Sequence, residues 1–276
     1  MNEFLTAVGI AVGVLVVIGL LCAIILVVAA KFFAVKVDER EQNIRACLPG
    51  ANCGACGFTG CDGYAHALAT DPETKANLCV PGGESVAKQL GDVMGVEVEA
   101  VAKQVAFVHC NGNCENTHKK HDYEGIKTCA AAKMFFGGDG ECTNGCLGYG
   151  DCAKVCAYGA ISWDNGIAKV DPALCTGCGQ CAKACPNFVI RLVPADAGTV
   201  VTCNNKDKGA VARKKCTNAC IGCKKCELNC PTGAIAVKDN LAQIDYSKCV
   251  GCIACSELCP QHTIKRVDFA ECAKNA

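Results

Sequence analysis

The sequence predicts an α+β chain of small, cysteine-stapled units behind a single long apolar helix. Three observations carry that prediction. Leu5 to Ala30 is an aliphatic run without a charge. All but one of the 28 cysteines lie beyond that run, in a chain with only nine Phe, five Tyr and one Trp. The C-terminal half repeats itself, the run from Cys175 to Cys185 recurring from Cys249 to Cys259. A length of 276 residues would otherwise suggest one large or two small domains. So few aromatics leave little material for a large apolar core. Formal net charge is zero and there is no basic stripe, so nucleic-acid binding has no electrostatic support.

The apolar run comes first. As a helix it would extend about 39 Å at 1.5 Å per residue, enough to cross a hydrocarbon core of about 30 Å with some tilt. A cleaved signal peptide would need a basic start and a shorter apolar core. Here the N-terminal flank carries Glu3 and no Lys or Arg. Residues 1–36 therefore read as a retained single-pass anchor in the lipid bilayer. Lys31, Lys36, Arg40 and Arg45 follow it, which puts the N-terminus outside and the rest of the chain on the cytoplasmic side. Gly9 and Gly13 form a small-xxx-small pair that would let another membrane helix approach.

Residues 37–105 form the second unit. Cys53-x2-Cys56-x4-Cys61, with Cys79 later, makes a four-thiolate set. Four thiolates suit zinc or an iron–sulfur cubane. The intervening glycines, which let the backbone curl round an inorganic core, and the neighbouring motifs favour the cubane. Cys47 lies just upstream as a spare thiol. Residues 84–106 read as a helix and a loose connection, and His66, His118 and His121 as surface groups rather than ligands.

The rest is the internal repeat. Its better-formed copy reads Cys220-x2-Cys223-x2-Cys226-x3-Cys230-Pro231 and Cys249-x2-Cys252-x2-Cys255-x3-Cys259-Pro260. In such runs the first three thiolates hold one cubane and the fourth reaches across to the other. Crossed ligation is therefore expected: Cys220, Cys223, Cys226 with Cys259, and Cys249, Cys252, Cys255 with Cys230. Secreted disulfide scaffolds are also cysteine-dense, but these spacings are those of cluster ligands, and a reducing, cytosol-facing compartment fits them.

One constant shift along the chain carries Cys142, Cys146, Cys152 and Cys156 onto Cys216, Cys220, Cys226 and Cys230. The same shift carries Cys175, Cys178, Cys181 and Cys185 onto Cys249, Cys252, Cys255 and Cys259, and Cys129 onto Cys203. Asn165-Gly166 and Asp239-Asn240 are hairpin-turn pairs. Each copy, 106–192 and 193–270, thus reads as a bacterial-ferredoxin-like module of two small hairpins and two short helices around two clusters. The first copy departs in one place: Tyr149 stands where Cys223 stands in the second. Cys142 is the expected substitute, giving Cys142, Cys146, Cys152 with Cys185, and Cys175, Cys178, Cys181 with Cys156. A three-iron or labile cluster is the alternative there. Cys110, Cys114, Cys129, Cys203, Cys216 and Cys272 are left over. The equivalence of Cys129 and Cys203 points to a structural role or an additional cluster.

The expected cofactors are about five [4Fe-4S] clusters, four thiolates to each. No dinucleotide fingerprint, Walker loop, His-Glu-x-x-His or nucleophile elbow is present, so no residue is assigned a catalytic role. Such a chain moves electrons.

The N-terminal helix, the stretch Asn52-Cys53-Gly54-Ala55-Cys56-Gly57-Phe58-Thr59-Gly60-Cys61 with Cys79-Val80-Pro81-Gly82-Gly83, the stretch from Gly145 to Cys152 and the tandem modules together resemble the B subunit family of the Rnf electron-transport complex. The resemblance covers essentially the whole chain and is closest to the family's longer form with two paired modules. It implies a translocase subunit that accepts electrons from soluble ferredoxin. These pass to other membrane and peripheral subunits, toward NAD+ reduction coupled to Na+ or H+ transport, with NAD and flavin on those partners. A polyferredoxin serving another membrane reductase or hydrogenase, or a complex that reduces a redox-sensing regulator, is the alternative. A metal-stabilised interaction protein without redox function is the third reading.

Overall fold

The computed structural model describes residues 2–32, 38–98 and 102–269. It divides into two units, Met1–Gln42 and Asn43–Ala276.

The first unit is dominated by α1 (Asn2–Phe32), 31 residues long. Every described side chain from Leu15 to Val28 is exposed, Leu15 at 68% and Leu26 at 69%. A helix apolar on all sides has no polar face to offer water. Side chains are described at Ile10, Gly13 and Leu15 to Ala29, the last a continuous run of about 22 Å at 1.5 Å per residue. Among the described residues no helix is long and apolar enough to cross a membrane, so the expected single-pass span is not supported by them. Lys36, at the start of the expected cytoplasmic flank, lies outside the described residues, as does Cys272.

The boundary falls within α2 (Glu39–Cys47); the second unit takes in the end of that helix, then α3 (Cys61–Thr70) and α4 (Gly83–Met94). Ile44, Tyr64, Leu68 and Leu90 meet in one core, each no more than 1% exposed. Burying each such side chain contributes about 1.5–3 kcal/mol. Tyr64 also orders a loop: its hydroxyl donates to Lys75 O at 2.6 Å and accepts from Leu78 N at 3.3 Å. That pins the segment leading to Cys79.

Next come β1 (Gln104–Val108), α5 (Cys129–Met134), α6 (Asp151–Lys154), β2 (Ile161–Asp164), β3 (Ile167–Val170), α7 (Gln180–Ala184) and β4 (Ile190–Pro194). The second copy supplies β5 (Thr199–Val201), α8 (Gly209–Lys215), α9 (Lys225–Leu228), β6 (Ile235–Lys238), β7 (Leu241–Ile244), α10 (Ala254–Glu257) and β8 (Ile264–Arg266). The hairpins are β2–β3 and β6–β7. Both turn through left-handed residues, Asn165 (φ 48°) with Gly166 and Asp239 (φ 49°) with Asn240 (φ 61°), as two-residue hairpin loops require.

The second ladder of each module is not the expected hairpin. β1 pairs antiparallel with β4, Val108 facing Ile190, and β5 with β8, Val201 facing Ile264. Residues 104–106, expected as a loose connection, are therefore strand. Ile190 and Ile264 obey the same shift as the cysteines, but Val108 and Val201 stand further apart than it allows. The repeat without gaps holds from Cys142 onward and fails before it. The segment between the first strand and the first motif is therefore longer in module one, and α5 lies in it, as α8 lies in the shorter segment of module two. Helices of four or five residues and ladders of three to five pairs are too short to persist alone. What they enclose must hold them.

Candidate iron–sulfur centres

What they enclose is cysteine. Cys61, Cys79, Cys129, Cys152, Cys181, Cys203, Cys216 and Cys226 are all buried, and no cysteine described is in a disulfide. They fall into groups.

In the small domain Cys79 is within electrostatic reach of Cys61, Cys53 and Cys56, and burial pushes its thiol up. Asn52, left-handed at φ 46°, accepts from Cys61 N at 2.8 Å and so closes the loop bearing Cys53 and Cys56. In module one, Cys156, Cys175, Cys178 and Cys181 line one cavity. In module two, Cys220, Cys223, Cys226 and Cys259 line another, with Pro260 beside them. Cys249, Cys252 and Cys255 act on one another, and Cys230 packs with Cys255 against the same core. The first three groups bring together cysteines that spacing had paired; in the last, Cys230 is placed only on the same core as Cys255.

The remaining set of module one is assembled differently. The cavity holding Cys146, Cys152 and Cys185 has Cys129 as its fourth cysteine. Cys142 is not brought there; it lines a neighbouring cavity with Cys110, Cys203 and Cys216, which Cys146 also borders. Thr128 caps α5, its Oγ1 accepting from Ala131 N at 3.2 Å. Asp151 Oδ2 accepts from Ala130 N at 2.9 Å. The two contacts dock the start of α5, and hence Cys129, beside Cys152. Tyr149 meanwhile turns away: its hydroxyl donates to Asp139 Oδ2 at 2.9 Å, and Lys119 pairs with that same oxygen at 3.0 Å.

Electrostatics test what such groups can hold. Burial, and then the thiols of Cys146, Cys129 and Cys185, push the Cys152 thiol up to about 12. Burial, then Cys175 and Cys178, push Cys181 up to about 11, and Cys226 rises likewise beside Cys220. Four thiolates cannot share a buried space without compensating cations, and the irons of a bound cubane would supply them. Among the described residues no three His, Cys, Asp or Glu side chains draw together closely enough for a single metal ion. A cubane places its own iron and sulfide between the thiolates, so cysteines spread around a cavity suit it. A larger cavity of about 390 Å³ between Phe107, Ile167 and Phe269 holds only Cys110 and no ligand set.

The groups adjoin. Gln180 Nε2 donates to Cys53 O at 2.5 Å, tying the small domain's loop to α7. Cys152 and Cys181 share one core. Cys47 stays on α2, its thiol donating to Asn43 O at 3.3 Å, and Cys114 is exposed.

Known proteins point the same way. Residues 48–81 match a family described as a putative Fe-S cluster, 168–191 a 4Fe-4S binding domain and 219–263 a 4Fe-4S dicluster domain. The chain therefore carries several 4Fe-4S domains of ferredoxin type. It is 44% identical over 88% of its length, and 73% of the relative's, to the B subunit of the Na(+)-translocating ferredoxin:NAD(+) oxidoreductase complex of Acetobacterium woodii. It is 41% identical over 92% of its length, and 96% of the relative's, to the B subunit of the ion-translocating oxidoreductase complex of Methanosarcina acetivorans. For the B subunit of the proton-translocating ferredoxin:NAD(+) oxidoreductase complex of Clostridium ljungdahlii the figures are 40%, 85% and 83%. Likeness of this extent, along chain and relatives alike, places the protein in the B subunit family of the Rnf-type ion-translocating oxidoreductase complexes.

Proposed function

We propose that this chain is the iron–sulfur relay of its complex, taking electrons from reduced soluble ferredoxin and passing them toward NAD+ reduction coupled to Na+ or H+ translocation. The observation that carries the reading is a row of adjoining cysteine-lined cavities in a chain without any substrate or nucleotide site in its sequence. Its relatives are named for the same reaction.

The proposed ligand sets are Cys53, Cys56, Cys61 and Cys79 in the small domain (37–105), with two sets in each module (106–192 and 193–270). Those of module one are Cys129, Cys146, Cys152 with Cys185, and Cys175, Cys178, Cys181 with Cys156. Those of module two are Cys220, Cys223, Cys226 with Cys259, and Cys249, Cys252, Cys255 with Cys230. A bound cubane supplies one-electron redox chemistry at low potential. The chain's own part is to fix the thiolates, keep water out and donate backbone N–H groups to sulfur. Ala106 N to Cys175 Sγ at 3.4 Å and Thr263 N to Cys259 Sγ at 3.3 Å are two such bonds. They favour added negative charge and so raise the potential.

Residues 1–36 serve, in this reading, as a single-pass anchor in the cytoplasmic membrane with the N-terminus outside. Support comes from the uncharged run Leu5 to Ala30 and a continuous helix Asn2–Phe32, about 46 Å long at 1.5 Å per residue. The other membrane and peripheral subunits are the partners on either side.

Mixing the anaerobically purified full chain with reduced low-potential ferredoxin tests the relay directly. Its visible charge-transfer absorbance should bleach within the mixing experiment, and chain lacking residues 1–36 should leave the membrane fraction. Absorbance unmoved by ferredoxin and by dithionite alike, or zinc in place of iron, overturns the reading.

A further inference from the structure

The two modules differ in charge and in how openly they hold their first cysteine set. Residues 193–270 contain eleven Lys and Arg against seven Asp and Glu, where 106–192 contain eight of each kind. The excess gathers round one site. The cavity lined by Cys220, Cys223, Cys226 and Cys259 is also lined by Lys224, Lys225 and Gln261. Of the four cysteines Cys223 is exposed, and so are Lys224 and Lys225.

Further cations are held beside the same loop. Asn240 Nδ2 donates to Lys206 O at 3.1 Å, and a Cβ added at Gly222 would lie 3.1 Å from Asn240 O. Lys206 thus adjoins the turn before Cys223. Lys208 precedes α8, whose first residue, Gly209, lies so close to Ile221 O that a Cβ there would strike it. The Gln261 side-chain oxygen accepts from an Arg213 guanidinium nitrogen at 3.1 Å. Lys206, Lys208, Arg213 and Lys214 are all exposed. Asp207 pairs with Lys215 at 2.8 Å and Glu227 with Lys224 at 3.8 Å. Asp239 is exposed on the adjoining turn, one negative charge against several positive.

Module one closes the corresponding site. Tyr149, Gly150 and Asp151 stand where Cys223, Lys224 and Lys225 stand in module two. Trp163, the equivalent of Val237, donates from Nε1 to Gly148 O at 2.9 Å. Its ring lies over Gly150, where a Cβ would come within 2.6 Å of it. An indole therefore roofs that cavity, which Trp163 also lines, and an acid replaces a lysine at its edge.

We propose that the basic face of module two docks an acidic one-electron carrier protein, whose electron enters at the Cys220, Cys223, Cys226 and Cys259 centre. The inference rests on the relay reading and names its point of entry: the carrier is the soluble ferredoxin, and the face selects one that is acidic around its own cluster. Exposed lysines steer an oppositely charged protein and orient it on encounter. The exposed Cys223 brings the edge of the centre to the surface. The step moves one electron: the carrier's reduced cluster is oxidised as this centre is reduced, with no bond made and no proton moved.

Stopped-flow mixing of the loaded full chain in detergent with a reduced acidic ferredoxin reads the encounter. Lys208→Glu with Lys214→Glu, both off the ligand loop, should slow bleaching by about tenfold or more at low salt. The wild-type rate should fall toward that of the variant as salt rises, while dithionite bleaches both alike. Lys154→Glu with Lys183→Glu, in module one, should leave the rate unchanged. A module-two pair as fast as wild type, or a module-one pair just as slow, overturns the docking face and leaves the relay intact. Wild type that dithionite bleaches and ferredoxin does not means that the relay reading itself has failed. Acetylation of lysines on the wild-type chain, mapped by mass spectrometry, decides without any variant. Bound oxidised ferredoxin should protect Lys206, Lys208, Lys214 and Lys225. Protection by phosphatidylglycerol vesicles and not by ferredoxin would assign the face to lipid and overturn the proposal.

Discussion

The two modules share a plan and differ in how they fill it. Module two keeps an unbroken cysteine word and places Lys224 (φ 60°) and Ile253 (φ 56°) in left-handed positions before α9 and α10. Module one has Gly150 and Gly179 at the equivalent positions, and has Tyr149 in place of a cysteine. In its longer segment before the first motif, α5 brings Cys129 to the cavity lined by Cys146, Cys152 and Cys185. A ligand shell is thus specified as a geometry, and a thiol from elsewhere in the chain can complete it.

The sharpest way to break the comparison is to ask whether Cys129 and Cys142 serve one centre or two. If two, the double variant Cys129→Ser with Cys142→Ser loses about eight iron, and each single variant about four, by the four-iron stoichiometry. A double variant that loses only about four would place both thiols on one centre. Next in size is the core behind each hairpin. Leu241, 1% exposed, and its equivalent Ile167, 5% exposed, should each cost about 2–5 kcal/mol on change to Ala, read by anaerobic denaturant unfolding of the loaded chain. Similar losses in both modules are expected; a loss confined to one would show that the modules do not share a core plan.

Smaller still is Tyr149→Phe. It removes the bond to Asp139 at a cost of about 1–2 kcal/mol, while iron content stays unchanged because the tyrosine faces away from the ligand cavity. Lost iron would put Tyr149 back among the ligands. The smallest effect has the opposite sign. Ile253→Gly relieves a left-handed β-branched residue, worth about 1–2 kcal/mol, against a glycine entropy cost of about 0.5–1 kcal/mol. Stability should rise by up to about 1.5 kcal/mol on that balance, making module two resemble module one. The same unfolding midpoint reports it, and a fall would contradict the strain argument.

Most of the cysteine groups that the structure draws together were legible in the sequence because their members stand a few residues apart. Cys249, Cys252 and Cys255 need no tertiary knowledge. The corner at Tyr149 was different. Cys142 is near in sequence to Cys146, but Cys129 is near in space, brought there by a segment whose docking through Thr128 and Asp151 leaves no spacing signature. One signal did exist. Cys142 has a repeat partner, Cys216, in a module whose cysteine word is complete, so a role common to both modules suited it better than substitution. The strand Gln104–Val108 was hidden for another reason: it pairs with residues far along the chain, and nothing local marks it.

The β1–β4 ladder also orders events during synthesis. Val108 cannot find Ile190 until the whole of module one has been translated, and Cys110 meets Cys203 and Cys216 later again. A ribosome therefore releases module one's hairpin and several thiols well before the segments that close over them. The nascent chain spends that interval with open sulfur sites, which is when a cluster-loading machinery has access and when oxygen does most harm.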